Sequence, residues 1–287
     1  MKKLTIVIAV LALVVACSSC NKAGKYNPRK KISRIYREGD GISKYMAEIW
    51  TWNKNKLDRI DHYSSSGNLS YTELFSYNKK GYIERITSSS SYTQFTYDGN
   101  KLVKAQRYIG GTLYEDYEFT YKGSKLSKMT ETYYSNYKGE HDIALFSPLR
   151  LILPESTCEK LNVFQAKHNT AKGTYTYSTE IEWDGKNISK VRHADTYSTT
   201  DYYEVTFKYD KKNNPFLNLL DVYVTEDGPE GYSKNNVTEE NYLEYEDGES
   251  YTDRFSYSYT YDGNWPSSKR YTEPGGWWYT YYFEYMK

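Results

Sequence analysis

Histidine, cysteine and carboxylate side chains supply most metal sites and most acid–base catalysis, and in this chain the histidines are dispersed. They are His62, His141, His168 and His193. None stands at metal-ligand spacing from another histidine or from a cysteine. His141 lies between Glu140 and Asp142 beside a glycine, a pattern typical of a solvated turn. The sequence therefore predicts neither a bound metal nor a cofactor.

Carboxylates are dense in the last fifth of the chain. Two of them could serve as the general acid and the nucleophile of a glycoside hydrolase. The group consists of Glu239, Glu240, Glu244, Glu246, Asp247 and Glu249. Such an enzyme needs two carboxylates facing each other across a cleft, and charges on edge strands also block aggregation. Nucleophile elbows, phosphate-cradling glycine loops and Cys/His arrangements are missing from the sequence. We therefore expect no catalytic residues, and a carboxylate-dependent glycoside hydrolase is the enzymatic alternative.

Aromatic side chains are the remaining candidates for a binding site, because 35 of the 287 residues are tyrosine. Trp265, Trp277, Trp278 and Tyr279 stand beside loops that contain glycine and proline. A flat row of exposed tyrosine and tryptophan rings suits stacking on sugars or packing against a protein. We predict these four as ligand-binding residues. The alternative is that the rings only cover a thin sheet.

These residues must be positioned by a short unit that the chain repeats, best seen in Tyr97-Asp98-Gly99-Asn100-Lys101-Leu102. Seven copies begin at Trp52, Tyr77, Tyr97, Tyr121, Trp183, Tyr209 and Tyr261. A large apolar residue stands two positions before each of these aromatic residues, hence on the same face of a strand. Asp-Gly, Asn-Lys and Lys-Gly then favour a hairpin turn. In most copies an aliphatic residue follows the aromatic by five positions. We expect it to lie directly opposite that aromatic on the paired strand.

The spacing of the copies predicts consecutive β-hairpins. Polar loops at 64–68, 88–91 and 109–112 fall between the copies and form turns at the opposite edge. A second apolar residue follows the first aliphatic by three positions. It points to the opposite face unless a bulge intervenes, and the sequence leaves both arrangements open. The expected fold is all-β: an antiparallel meander of repeated hairpins forming a long twisted or curled sheet, with few or no helices.

Two aliphatic segments interrupt the repeats and are expected to cover the sheet. They are Ser147–Pro154, which is bounded by prolines, and Asn214–Leu220. A polar loop and tyrosine-rich hairpins follow each of them, which indicates an internal duplication with halves of about 45–195 and 196–287. The repeat domain as a whole is assigned to residues 45–287.

The N-terminus has the pattern of a secretory signal. Lys2 and Lys3 precede an apolar core of thirteen residues, 4–16, which is too short for a spanning helix, so residues 1–16 are predicted to be a signal peptide. A small residue followed by Cys17 resembles a bacterial lipobox, and we predict that Cys17 is lipidated. Lipidation of Cys20 and ordinary cleavage without a lipid are the alternatives. Cys158 is then left to be buried, free or bridged to Cys20.

A polar, basic spacer is predicted between the lipid and the domain. Residues 17–44 are assigned to this tether, although Ile32 and Ile35 already fit the start of a first strand. Without Lys2 and Lys3 the formal charge falls from +1 to −1, with 36 basic against 37 acidic residues. A nearly neutral chain with interspersed charges gives no reason to expect a nucleic-acid partner.

The copy Tyr77-Asn78-Lys79-Lys80-Gly81-Tyr82-Ile83-Glu84-Arg85-Ile86 resembles the YD repeat of Rhs and teneurin-type proteins. Those proteins wind tens of repeats into a closed shell, and seven copies are too few to close one. Residues 45–287 are similar to uncharacterised Bacteroidetes surface lipoproteins with YD-like repeats, including the runs 213–216 and 233–237. The resemblance implies a fold and a location in the outer membrane, at the cell surface or on the periplasmic face. It implies no catalytic residues.

Together these patterns predict a non-catalytic cell-envelope lipoprotein that binds glycan or protein through an aromatic sheet surface. The first alternative is a structural or assembly subunit of an envelope complex, whose exposed sheet edge adds a strand to a partner. The hydrolase is the second.

Overall fold

The computed structural model describes residues 22–134, 174–195, 200–220 and 229–287, and every regular element in them is a β-strand. In chain order they are β1 (Ile32–Gly39), β2 (Ile42–Asn53), β3 (Lys56–Tyr63), β4 (Leu69–Tyr77), β5 (Ile83–Ser88), β6 (Ser91–Asp98), β7 (Lys101–Ile109), β8 (Thr112–Lys122), β9 (Lys125–Tyr134), β10 (Thr174–Asp184), β11 (Asn187–Asp195), β12 (Tyr202–Tyr209), β13 (Val237–Glu246), β14 (Glu249–Asp262), β15 (Trp265–Thr272) and β16 (Trp278–Tyr285). The all-β prediction is confirmed.

The sixteen strands close into a barrel, so the predicted open, twisted or curled sheet is wrong. Each strand pairs antiparallel with its neighbours in sequence, and β16 pairs with β1 from Ile32↔Tyr285 to Gly39↔Tyr279. An open meander would leave two strands with unpaired N–H and C=O groups, whereas closure satisfies both.

The hairpin registers follow the repeat. Trp52 lies opposite Leu57, and Tyr97 lies opposite Leu102, as the spacing predicts. A β-bulge follows each repeat turn and explains the three-residue step between the two apolar positions. Thr96 pairs with Lys104, which leaves Val103 without a partner in the ladder. Leu102 and Ala105 therefore both point into the barrel, where each is fully buried.

Six of the repeated aromatic residues, together with Tyr259 and Tyr285, also form a ring of hydrogen bonds around the barrel. In each even-numbered strand one tyrosine or tryptophan donates to the backbone carbonyl of a buried residue near the start of the preceding strand. The bonds are Trp52→Ile32 (2.7 Å), Tyr77→Leu57 (2.7 Å), Tyr97→Ile83 (2.7 Å), Tyr121→Leu102 (2.9 Å), Trp183→Leu126 (2.6 Å), Tyr209→Ile188 (2.6 Å), Tyr259→Val237 (2.8 Å) and Tyr285→Pro266 (2.7 Å). The repeat thus selects an aromatic with a polar tip because that tip satisfies a buried carbonyl.

One bond of this ring is open to a direct test. Tyr97→Phe keeps the ring and leaves the Ile83 carbonyl without its hydroxyl donor, so we expect a loss of about 0.5–1.5 kcal/mol in unfolding free energy. Urea unfolding measures it. Tyr92→Phe, which removes a hydroxyl from a ring on the outer wall, is the control. Equal losses of unfolding free energy in the two variants would show that the hydrogen bond from Tyr97 to Ile83 does not stabilise the barrel.

One end of the barrel is filled by segments that we call the plug: residues 22–31, 210–220 and 229–236. The Tyr26 hydroxyl donates to the Pro215 carbonyl at 2.9 Å, and the Gly24 amide donates to the Asn218 carbonyl at 2.9 Å. Phe216 packs against Trp50 with ring centroids 6.2 Å apart. The segment 214–220 thus lies inside the barrel, and residues 22–31, within the expected tether, pack beside it. The other aliphatic run, 147–154, lies outside the described residues.

Gly24 occupies a place that no other residue could. Its φ is +82°, and a Cβ atom there would lie 2.0 Å from the Tyr97 hydroxyl. Its carbonyl accepts a 2.8 Å hydrogen bond from the Ile83 amide. The N-terminal segment is therefore pressed against the barrel wall at the ring of aromatic hydrogen bonds.

Candidate binding rim

The two ends of the barrel differ in what they carry. The repeat end holds the turns that follow the repeated aromatics, the plug, the start of β1 and the end of β16. The opposite end, which we call the far rim, holds the turns at 40–41, 64–68, 89–90, 110–111, 247–248 and 273–277. Strand direction alone produces this division, because every repeat turn joins an even-numbered strand to the odd-numbered strand after it.

The four predicted ligand-binding residues do not form one surface. Trp265 begins β15 at the repeat end, where its ring lies edge-on to Tyr285 at 6.4 Å. Trp277, Trp278 and Tyr279 lie at the far rim. The structure therefore places three of the predicted residues at the far rim and the fourth, Trp265, at the opposite end of the barrel.

Cations cover two of the three rings at the far rim. The Arg270 guanidinium lies 4.1 Å from the Trp278 ring centroid, and the Arg37 guanidinium lies 4.2 Å from that of Tyr279. A sugar would have to displace these guanidinium groups to stack there. Trp277 is 56% exposed.

Trp277 belongs to a set of four exposed apolar side chains, one at each of four consecutive hairpins of the far rim. The others are Tyr251 (54% exposed), Ile42 (36%) and Leu69 (56%). Each stands at or near the start of an even-numbered strand, just after a glycine-containing turn. We call these four residues the rim tips. Sequence reasoning missed three of them, although a large apolar residue soon after a turn between two repeat copies was the available signal.

Three of these four hairpins carry acidic side chains at or beside their turns, whereas the turn before Leu69 has none. The acidic residues are Asp40, Glu246, Asp247, Glu249 and Glu273. The turns at 40–41, 64–68, 247–248 and 273–277 contain no lysine or arginine. Arg37, Lys44 and Arg270 flank the turns and lie over aromatic rings. This sector of the far rim is therefore apolar, with more carboxylates than cations.

The predicted carboxylate cluster is divided among different environments and forms no cleft. Glu240 is fully buried and accepts a 2.9 Å hydrogen bond from Tyr257, whereas Glu239 lies on the outer wall with Lys208 and Arg254. Glu244 accepts hydrogen bonds from Tyr203 at 3.1 Å and Tyr242 at 3.0 Å. Alternation along β13 separates these neighbours, since adjacent residues face opposite sides of the wall.

The barrel interior contains a buried histidine between two carboxylates. His62 Nδ1 lies 3.0 Å from Glu48 and its Nε2 lies 3.1 Å from Glu73. Burial by itself lowers the pKa of His62, but the two carboxylates outweigh it and raise that pKa to about 10. His62 is therefore a cation at neutral pH, held between its counter-ions.

A second interior group joins two buried carboxyls through a tyrosine. The Tyr117 hydroxyl lies 2.9 Å from Glu115 Oε2 and 2.5 Å from Glu131 Oε1, and Arg107 pairs with Glu115 at 3.3 Å. Burial, together with the charge of Glu115, raises the pKa of Glu131 to about 8. Sequence reasoning did not find this pair. Because Glu131 is 0% exposed, the pair is closed to solvent and does not constitute a catalytic cleft.

The remaining described histidine, His193, is neutral. Burial lowers its pKa to about 4, and it shares a 2.8 Å hydrogen bond with Thr179. Within residues 22–134, 174–195, 200–220 and 229–287, no group of three His, Cys, Asp or Glu side chains is placed to hold a metal ion. His141, His168 and the three cysteines lie outside these ranges.

The outer wall carries many charged, hydroxyl and amide side chains, with the exposed Leu74 among them. Cross-strand ion pairs join Lys104 to Asp116 at 2.8 Å and Lys190 to Glu204 at 2.9 Å. Glu239 lies between Lys208 and Arg254, and these hydrogen bonds lower its pKa to about 2. Among the described residues no helix is long and apolar enough to cross a membrane.

Comparison with known proteins supports the architecture. No protein-family model matches the chain, and no curated protein matches it. A porin-like protein from Bacteroides vulgatus ATCC 8482 superposes with a TM-score of 0.50 at 10% identity, covering 90% of this chain and 99% of that one. A porin-like protein from Bacteroides uniformis ATCC 8492 gives 0.48 at 11% identity, covering 89% and 98%.

A third match is the Photorhabdus luminescens Tc holotoxin pore carrying the mutation TccC3-D651A. Its TM-score is 0.25 at 13% identity, covering 80% of this chain and 14% of that one. At such identities the likeness concerns the fold alone, and of these three structures the first has a TM-score of 0.50. The chain thus shares a porin-like barrel architecture.

Proposed function

We propose that the chain is a non-catalytic, lipid-anchored protein of the bacterial cell envelope that docks a protein partner on its far rim. One observation carries this proposal: the rim tips are exposed at the end of the barrel opposite the N-terminal segment. Soluble surfaces seldom present large apolar side chains on four successive hairpins unless something binds them.

The anchor fits this arrangement. Lys22 is already held at the repeat end by a 3.1 Å hydrogen bond from its amide to Asn218. If Cys17 carries the lipid, the intervening residues span at most roughly 18 Å when fully extended. The repeat end is then held close to the bilayer and the far rim points away from it, accessible to a partner.

The wall favours a barrel in water over one embedded in lipid. A lipid-facing wall presents a continuous apolar band, and lysine or arginine at its centre is costly. Here Lys104, Lys190 and Arg254 project outward and pair with carboxylates. We therefore place the barrel beside the membrane rather than across it.

A protein partner fits the rim tips better than a glycan does. Ile42 and Leu69 have no ring face for a sugar, and guanidinium groups already cover Trp278 and Tyr279. Strand addition, the route first expected for an assembly subunit, needs a free sheet edge. The closed barrel offers none among its described strands, so the partner would dock on side chains.

A photo-crosslinking residue placed at Trp277 or at Met286 in the lipidated protein, in intact cells, tests the proposal. Met286 is 51% exposed at the repeat end, which matches Trp277 in exposure and differs from it in position. We expect one protein adduct from position 277, suppressed by excess unmodified barrel, and none of that mass from position 286. Adducts that digest as glycan, or identical adducts from both positions, would contradict it.

The anchor is tested separately by metabolic labelling with an alkyne fatty acid. Cys17→Ser is expected to abolish labelling and to release the barrel from the membrane fraction, whereas Cys20→Ser is expected to retain both. Loss of label in Cys20→Ser alone would move the anchor to Cys20. Labelling of both variants would contradict a single acylated cysteine.

A further inference from the structure

We infer that the partner's contact surface is a cationic, apolar polypeptide surface, in which lysine or arginine side chains surround aliphatic or aromatic ones. This inference rests on the proposed docking role of the far rim. It goes beyond that role by naming the chemistry that the rim selects.

Charge complementarity is the first argument. Asp40, Asp247 and Glu273 stand in the turns that carry or adjoin the rim tips, and Glu246 and Glu249 flank one of these turns. Three cations flank the turns, Arg37, Lys44 and Arg270, and each lies over an aromatic ring. The five carboxylates outnumber them. An apolar surface framed by positive charges would gain both burial and Coulomb attraction here, whereas an anionic membrane would be repelled.

The spacing of the rim tips sets the size of the partner. Successive tips are two strands apart, or about 10 Å at the usual distance between strands. Tyr251, Trp277, Ile42 and Leu69 follow one another around the closed sheet, so together they span about 30 Å. That is the length of a 20-residue helix and the width of an ordinary protein interface.

The rest of the rim shows that this chemistry is local. In the other described half of the barrel, β6 begins with Ser91-Tyr92 and β8 with Thr112-Leu113, and both Tyr92 and Leu113 are half-buried. Among the described hairpins, the exposed apolar tips are therefore confined to one sector of the rim. A second copy of this rim is a poor partner, because like charges would meet across the contact.

Peptide binding to the purified full chain tests the inference. The probe is a labelled 20-residue amphipathic Lys/Leu helix, compared with Glu/Leu and Lys/Ser peptides of the same length by fluorescence anisotropy. We expect the Lys/Leu peptide to bind at least tenfold more tightly than either of the others. Its affinity should also fall as salt is raised.

Two variants with matched controls locate the binding. Leu69→Ser with Trp277→Ser removes two rim tips, and Leu74→Ser with Met286→Ser removes two side chains of similar exposure elsewhere. We expect about tenfold weaker binding for the first pair, equivalent to about 1.4 kcal/mol, and no change for the second. Far-ultraviolet circular dichroism and the melting temperature check that each variant is folded.

The acidic side chains are tested in the same way. Asp247→Asn, Glu249→Gln and Glu273→Gln together are expected to weaken binding about tenfold and to flatten its salt dependence. Glu84→Gln, Glu118→Gln and Glu182→Gln on the outer wall are the control. Equal loss in both triple variants, or preference for the Glu/Leu peptide, would overturn the inference. The crosslinking experiment separates this inference from the proposed function. If the peptide test fails but position 277 still crosslinks a protein in cells, only the inferred partner chemistry is wrong. If position 277 crosslinks no protein, the proposed docking function is wrong as well.

Discussion

Replacing Lys269 by methionine is expected to destabilise the barrel by about 3–5 kcal/mol. Lys269 is 1% exposed on the inner face of β15, and its ammonium group lies 2.9 Å from a carboxylate oxygen of Glu230 in the plug. Methionine fills a similar volume but leaves the Glu230 carboxylate buried without its cation. The cost arises from that uncompensated charge rather than from lost packing.

The double variant Lys269→Met with Glu230→Met separates the two causes. With both charges gone, the pair becomes an apolar contact, and we expect most of the lost stability to return. Lys30→Met is the surface control. Lys30 and Asp262 form an ion pair at 2.6 Å, but their side chains are 36% and 76% exposed. Its effect should stay within about 1 kcal/mol.

Urea unfolding of the four proteins measures these differences, and hydrogen exchange at residues 229–236 reports whether the plug loosens. A loss of less than about 1 kcal/mol in Lys269→Met would show that the pair contributes no more than a surface contact. A double variant as unstable as the single one would show that the side chains, rather than the charges, hold the plug.

The position of Lys269 also shows how far the repeat pattern predicts the interior. In five copies the second inward position after the turn is apolar: Ile60, Ile86, Ala105, Met129 and Val191. At the same place the later strands carry Glu240 and Lys269, both buried. A charged residue at an apolar position of a repeat indicates a buried partner from elsewhere in the chain. For Lys269 that partner is Glu230, which no local spacing identifies.

Closure of the barrel could not be predicted either, because it also depends on a contact between distant residues. The sequence displays seven copies, and six of them correctly predict hairpins, turns and facing pairs. The copy at Tyr209 is divided by residues 210–236, so that Tyr209 lies opposite Val237. An eighth equivalent unit is split between the chain ends, with Tyr285 in β16 opposite Ile32 in β1. Local pattern cannot join residues 250 positions apart, so the meander was predicted without the contact that closes it.

The far rim was predictable only in part. Trp277 was predicted as a binding residue because tryptophan beside a loop of glycine and proline is typical of an exposed ring. Ile42 and Leu69 resemble ordinary strand residues in the sequence. Their exposure depends on which end of the barrel each turn occupies. Trp265 fits the same local pattern as Trp277, but its turn follows a repeat copy and lies at the repeat end.

Replacing Glu131 by glutamine is expected to stabilise the protein, increasingly as the pH rises. Burial and the nearby Glu115 raise the pKa of Glu131 from its ordinary value of 4.5 to about 8. The folded state therefore retains a proton that the unfolded chain has already released. The stability contributed by Glu131 is fully present below pH 4.5 and is lost as the pH rises through 8.

Glutamine resembles the protonated carboxyl in shape and stays neutral, so the variant should escape that loss. Near pH 4.5 the two proteins should have similar unfolding free energies, and above pH 8 the variant should be more stable by an amount on the order of a few kcal/mol. Urea unfolding from pH 4.5 to 9 measures the difference. Taking variant minus wild type removes the contributions of His62 and His193, which titrate in both proteins.

Glu118→Gln is the matched control for the exchange of glutamate for glutamine, since Glu118 is exposed on the outer wall of the neighbouring strand β8. A Glu131→Gln difference that matches the control at every pH, or that falls as the pH rises, would contradict a proton held at this carboxyl. The expected rise would instead mean that Glu131, one of the two carboxyls joined by Tyr117, is protonated at neutral pH. With Arg107 paired to Glu115, only one negative charge of the pair has a cation beside it. A buried carboxyl without such a partner is then most stable when neutral.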